Sequence, residues 1–227
     1  MKIIVAGDIH MAPEYLDKIP DTEKADLILL NGDLTNYGGI KEVRQVLNHA
    51  LKLNPNILAH FGNLDKPEIN TYLEDLGINL HGQARLVGNS ICIVGVGGSN
   101  DTPFLTPSEF SESEILATAE TAYLQGLEYV ALAEPLHKKK IPILFISHTP
   151  PLNTKLDRIH SGKHVGSTAI RTIIERYQPA LSIVGHIHEA KGEDTIINSP
   201  IINPGMLRDG GWVSIEVKNS EFYTHLQ

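Results

Sequence analysis

Apolar residues come in short runs along this chain, and most of those runs stop at a polar cluster. In the first third, residues 2–6, 26–30 and 57–60 read as strands. Between the second and third lies 40–53, where Val43, Val46, Leu47, Ala50 and Leu51 repeat at the spacing of one helix face. A second helix is predicted after Lys66, with Pro67 in its first turn and Gly77 at its end. Short strands alternating with helices predict βαβ units and a largely parallel sheet.

The middle breaks this rhythm. Residues 84–87 and 91–96 flank Gly88-Asn89-Ser90, which predicts a hairpin. A loop over 97–110, rich in Gly, Pro, Ser and Thr, then leads into a long helix. Two capping boxes compete for its start, Thr106-Pro107-Ser108-Glu109 and Ser111-Glu112-Ser113-Glu114. The three lysines 138–140 close it as a solvated end that the helix dipole favours. In the last third, 141–146 is a strand ending in Ser147-His148, 167–177 is helical, and 181–184 is a strand ending in Gly185-His186. The segments 196–198, 201–203 and 212–217 read as antiparallel strands. With no linker or low-complexity tract, residues 1–227 are expected to form a single domain.

Composition sharpens this only at the margins. A chain of 227 residues can bury roughly 70–75% of the surface that its unfolded form exposes. A 41% hydrophobic and 20% charged composition excludes a disordered chain. The net charge of −8 argues against a general nucleic-acid binder, which would carry a basic face. It does not exclude a phosphate substrate, because a bound metal ion can dominate the local field. Cys92, the one cysteine, sits in an apolar strand and reads as a small buried hydrophobe; no disulfide can form within the chain. The chain enters a strand at once and reaches Asp8 too soon for a signal-peptide core, and no later run could span a bilayer. A cytoplasmic protein without a membrane partner is the expectation.

Chemistry concentrates where the strands end. Five runs stop at potential metal ligands: Gly7-Asp8-Ile9-His10, Asn31-Gly32-Asp33, Gly62-Asn63-Leu64-Asp65, Ser147-His148 and Gly185-His186-Ile187-His188. Ligands in open α/β sheets bind outside the carboxyl ends of strands. If strand geometry persists, the i, i+2 spacing lets Asp8 and His10 reach one region together. Singly, each motif has an ordinary reading as a turn, a cap or a loop histidine. All five at matching strand ends make that reading improbable. Carboxylate, carboxamide and imidazole without thiolate suit manganese, iron, zinc or cobalt.

These motifs resemble the ordered signature D-x-H, G-D, G-N-H-D, H, G-H-x-H of the calcineurin-like metallophosphoesterase superfamily, from Ile3 to His188, with Asn203-Pro204-Gly205 further on. The resemblance implies an α/β fold in which a two-sheet β-sandwich is flanked by helices, with the metal site along one edge. It also implies two divalent ions, manganese first, with iron, zinc, cobalt and nickel as alternatives. Asp8, His10 and His188 would hold one ion, Asn63, His148 and His186 the other, and Asp33 would bridge them. The reaction implied is hydrolysis of a small phosphodiester or phosphomonoester by a metal-bridging hydroxide that attacks phosphorus in line. Two other readings are a non-catalytic binding module on the same fold, as a related retromer subunit is, and a nuclease of the same superfamily. The intact ligand set weighs against the first, and the absence of a basic face against the second.

There is one departure. Leu64 stands where the family most often has the His of G-N-H-D, a residue thought to contact phosphate and help protonate the leaving oxygen. A lost general acid typically costs a factor of roughly 10²–10⁴ when the leaving group needs a proton. Leu64 therefore tilts the expectation towards diesters or activated esters. Asp65, which normally orients that His, is expected to hold the loop or support a ligand instead. From His148 to Arg176 the segment carries Lys155, Arg158, Lys163, Arg171 and Arg176 against Asp157 and Glu175, a local excess that predicts an anion-steering wall. Within it, His160 or His164 is the expected catalytic substitute for the missing His, with Gly162 and Gly166 letting the loop close over the metals. His49, His60, His81, His137 and His225 are expected to be ordinary structural or surface residues.

Overall fold

The alternation of strands and helices is realised as two β-sheets packed face to face, in a computed structural model that describes residues 1–227. Along the chain come β1 (Lys2–Gly7), β2 (Leu27–Asn31), α1 (Ile40–Leu53), β3 (Ile57–His60) and α2 (Glu68–Asp75). The hairpin β4 (Gln83–Val87) and β5 (Ile91–Val96), the long helix α3 (Glu112–His137), β6 (Ile143–Ser147), α4 (Thr168–Tyr177) and β7 (Leu181–Ile183) follow. β8 (Gly192–Ile196), β9 (Ser199–Asn203), β10 (Val213–Lys218) and β11 (Glu221–Leu226) complete it.

The first sheet has the order β11-β10-β1-β2-β3, and the second β4-β5-β6-β7-β9-β8. Strands β1, β2 and β3 are parallel, as are β5, β6, β7 and β9, while antiparallel strands close the edges at β11, β4 and β8. Side chains alternate between the two faces of each strand. Ile3, Val5 and Leu29 therefore meet Ile93, Leu144 and Ile183 between the sheets. Their neighbours Ile4, Ala6 and Leu30 pack under Val43, Val46 and Leu47 of α1 and Ile69 of α2. On the far side, Val94 and Phe145 pack under Ala119 and Tyr123 of α3 and Ile170 and Ile173 of α4. Strands buried on both faces read as continuous apolar runs rather than alternating ones. Each fully buried Val, Leu or Ile contributes roughly 1.5–3 kcal/mol.

Helix α1 and strand β3 match their expected bounds, and Ser111 settles the competition between capping boxes. Its hydroxyl accepts from Glu114 N, and α3 starts at Glu112. The end of the chain differs from expectation. Residues 197 and 198, read as part of a strand 196–198, form the turn between β8 and β9, with Ile197 at φ 57°. The strand is instead 192–196, whose Gly-Glu-Asp-Thr-Ile lacks an apolar run because it is a sheet edge with one face in solvent. Strand β11 was not expected, for the same reason: most of it is exposed. No helix is long and apolar enough to cross a membrane.

Candidate metal centre

At the carboxyl ends of β1, β2, β3, β6 and β7 the chain turns abruptly, and the seven expected ligands come together there. Strand geometry does not persist to Asp8 and His10, contrary to the simplest expectation from their spacing. Asp8, His10, Asp33 and His186 have φ values of 50°, 48°, 45° and 68°, all left-handed. Such backbone costs about 1–3 kcal/mol per non-glycine residue and collects at functional sites. The turns hold because sheet-like bonds continue past the strands, with Asp8 N donating to Gly32 O at 3.1 Å and His10 N to Asp33 O at 2.8 Å. Two glycines are obligatory for the approach of these loops. A Cβ on Gly62 would lie 2.2 Å from Asp33 Oδ1, and one on Gly32 would lie 2.5 Å from His148 Nδ1.

Two clusters result. The donor atoms of Asp8, His10 and His188 lie within 4.8 Å of one another, and so do those of Asp33, His148 and His186. Asn63 joins the second, its Oδ1 3.1 Å from His148 Nε2. Asp33 faces both clusters, with Oδ1 3.5 Å from His148 Nε2 and Oδ2 3.9 Å from His10 Nε2. His148 Nδ1 donates to Asn31 O at 3.0 Å, so Nε2 is the ring atom that faces the cluster. The residues fit divalent cations. Asp8 Oδ1 is buried with no hydrogen-bond partner, 3.2 Å from His188 Nε2, which itself lies 3.2 Å from His10 Nε2. Buried acceptors converging in this way call for a cation, and the oxygen and nitrogen donors suit a transition metal.

Electrostatics agree with the geometry. Burial opposes charge on Asp33, yet the His148, His10 and His186 imidazoles outweigh it and hold the carboxyl at about 2. Burial likewise opposes charge on His148, but Asp33 and Asp8 push it up to about 9. His188 is raised in the same sense, with Asp8 overcoming burial, whereas burial and the neighbouring His148 hold His186 at about 4.

Asp65 does hold the loop. Its carboxylate accepts from Leu34 N, Thr35 N, Thr35 Oγ1 and Gly62 N at 2.7–2.9 Å. Burial first, and the Asp33 carboxylate second, push it up to about 6, while the bonds from Gly62, Thr35 and Leu34 favour the charged form. Asn36 carried no sequence signal as a site residue, yet its Oδ1 lies 2.8 Å from His10 Nδ1 and its amide donates to His10 O. Thr106 was likewise hidden inside a motif that reads as a helix cap; its hydroxyl accepts from Asn63 Nδ2 at 3.0 Å.

The loop after His148 places its two histidines differently. His160 and His164 both line a cleft of about 690 Å³ that also touches Phe104, Ile159, Lys163 and the candidate ligand His186. That volume is typical of small-molecule sites, which span roughly 300–1,000 Å³. His160 projects into solvent, its side chain 89% exposed and its Nε2 4.0 Å from Glu189. His164 is oriented. Its Nδ1 lies 2.7 Å from Oδ1 of Asp157, a buried carboxylate that also accepts from Asn153 N, Thr154 N and Gly166 N. A carboxylate only accepts, so Nδ1 donates and Nε2 is left for other partners.

The anion-steering wall does not form as expected. Arg171 pairs with Glu175 and with the Leu152 and Asn153 carbonyls, Arg176 pairs with Glu120, and Asp101 and Glu189 line the cleft beside Lys163. The helix α4 cations are drawn off by acids on α3 and α4, and of the five cations only Lys163 lines the cleft. The other histidines lie outside the clusters. His60 is buried at the end of β3 and held at about 3 by burial, His81 accepts from Gly97 N, and His49 pairs with Asp17. Cys92 is buried, which pushes its thiol up to about 11.

Comparisons with known proteins bear on the same features. A protein of Methanocaldococcus jannaschii, described as uncharacterized, is 34% identical over 210 residues, covering 90% of this chain and 88% of that one. A crystal structure of a Thermus thermophilus protein matches with a TM-score of 0.66 at 20% identity, covering 99% of this chain and 98% of the other. A dimetal phosphatase from Danio rerio matches with a TM-score of 0.60 at 12% identity and the same coverage, so both structures share the fold. The family model for calcineurin-like phosphoesterases matches residues 1–190, the stretch that holds every candidate ligand. The chain therefore belongs to the calcineurin-like phosphoesterase family, and its two clusters support a metal-dependent phosphoesterase in general.

Proposed function

We propose that the protein hydrolyses small phosphate esters at a two-metal centre. Asp8, His10 and His188 would hold one ion and Asn63, His148 and His186 the other, with Asp33 shared between them. The observation that carries this reading is Asp33, whose two carboxylate oxygens face different clusters. Bound there, two divalent ions supply Lewis acidity for the phosphoryl oxygens and acidify water for attack on phosphorus. Manganese is the first candidate, with iron, zinc, cobalt and nickel as alternatives.

The remaining work falls to side chains. The cleft beside His186 receives the ester, with Lys163 at its wall to attract the anion. Leu64 offers the leaving oxygen no proton. His164 is the better placed substitute, because Asp157 fixes its tautomer, whereas His160 stands in solvent. Esters whose leaving groups need little help, diesters of acidic alcohols among them, are the preferred class.

Metal-reconstituted protein assayed on a p-nitrophenyl diester and an alkyl diester tests the reading. Replacing His164 by Gln is expected to cut turnover of the alkyl ester by about 10²-fold and to spare the p-nitrophenyl ester. Equal loss on both esters would remove His164 from proton transfer. Full activity in Asp33→Asn protein would remove the two-metal mechanism itself.

A further inference from the structure

Thr106-Pro107-Ser108-Glu109 has the pattern of a helix cap, but no helix starts there. Its groups bind the loop after β3 instead. Ser108 N donates to Asn63 O at 3.0 Å, and Ser108 Oγ donates to Asp65 O at 2.6 Å. Asn63 Nδ2 donates to Thr106 Oγ1 at 3.0 Å, and Thr106 Oγ1 lies 2.6 Å from Glu109 Oε1. The same Glu109 oxygen also accepts from Thr106 N and from the Thr102 hydroxyl. Asn63, Thr106 and Ser108 are all buried, so water does not compete for these groups.

The direction of each bond follows from proton count. An ionised carboxylate has none to give, so the single hydroxyl proton of Thr106 goes to Glu109. Only a lone pair is then left for Asn63, which must present its NH₂ group. The opposite end of the carboxamide, Oδ1, is thereby turned towards His148 Nε2 and the second cluster. Orientation matters more here than for a carboxylate. A flipped amide would aim two N–H groups at the cation position and set its oxygen against the lone pairs of Thr106.

We propose that Thr106 and Glu109 are positioning residues that lock the Asn63 carboxamide with its oxygen towards the second metal position. This rests on the two-metal reading above, and it assigns the loop before α3 a part in metal affinity. Residues that orient ligands typically change affinity by about 10–100-fold when removed.

The test compares wild-type protein with Thr106→Val, which keeps the shape and loses the acceptor, and Thr106→Ser, which keeps the hydroxyl. Manganese binding is measured by equilibrium dialysis, and the Asn63 side-chain amide is followed by NMR in metal-free protein. Thr106→Val is expected to weaken one of two ions about 10–100-fold and leave the other unchanged. Thr106→Ser is expected to restore both ions and the Asn63 amide signal. Thr106→Val protein that melts like wild type and binds both ions as tightly overturns the proposal alone. Wild-type protein that binds no manganese overturns the two-metal reading and this proposal with it. Should Thr106→Val not fold, wild-type protein still decides: Asn63 amide protons that exchange like those of an exposed side chain overturn the lock.

Discussion

In the cluster around His148, neighbours aim the ligand atoms of His148, Asn63 and Asp33. Asn31 O holds the ring through Nδ1, Thr106 holds Asn63, and Leu64 N donates to Asp33 Oδ1 at 2.8 Å. Across Asp33 the cluster of Asp8, His10 and His188 is held more loosely. Asn36 fixes His10, but the His188 side chain is 31% exposed and Asp8 Oδ1 has no hydrogen-bond partner. One cluster is thus organised by hydrogen bonds, while the other leaves more of its organisation to a cation. Preorganisation of this kind raises affinity by reducing what binding must order. The His148 cluster is therefore expected to bind its ion more tightly and exchange it more slowly.

The largest expected effect comes from the group the clusters share. Asp33→Asn should remove both ions, read by metal analysis, and lower turnover by at least about 10³-fold, since metal ions contribute several kcal/mol to charge stabilisation. If one ion stayed bound, the clusters would be independent rather than linked through Asp33.

Next in size is the contrast between the clusters themselves. His148→Ala should eliminate the tighter ion, whereas His188→Ala should eliminate the weaker one and leave the tighter one measurable by calorimetry. The reverse ranking would break the proposed asymmetry.

A third effect depends on pH. His148 is held up to about 9, so binding a metal at its Nε2 must displace a proton. Affinity at that site should rise about tenfold per pH unit from neutral to about 9 and then level off. The sign in metal-free protein is the opposite. A raised imidazole contributes stability that is fully present below its ordinary 6.5 and is lost as pH rises through about 9. Melting curves without metal should accordingly fall over that interval, and curves with manganese should not.

The smallest effect expected is at the support of the looser cluster. Asn36→Ala should weaken only the ion held by His10, by about tenfold, in a competition titration. An equal change at both ions would mean that the clusters are not separately supported.

Most of the fold was legible because strands buried on both faces and helices buried on one leave unmistakable patterns, as in 40–53 and 57–60. Edge strands left little trace. Glu221–Leu226 shows water most of its side chains, so its residues are not selected for an apolar run. The candidate ligands were legible as residue types at strand ends. Their grouping was implied by the family resemblance and not by spacing, because it depends on left-handed turns at Asp8, His10, Asp33 and His186 that spacing alone does not specify. The charge of 148–176 misled for a related reason: formal charge is visible in the sequence, but the pairing of Arg176 with Glu120, far outside that segment, is a matter of contact.

The sequence by itself determined the layered α/β plan, the ligand types and the absence of a proton donor at Leu64. Those follow from local periodicity and side-chain chemistry, which need no knowledge of distant neighbours. Only the tertiary structure decided that Asp33 faces two clusters, that Asp157 orients His164 while His160 is left in solvent, and that a cap-like motif at Thr106 holds Asn63 instead of starting a helix. Each of these joins residues far apart in the chain, and a hydrogen bond's direction is set by which partner has a proton to give once the fold has brought them together.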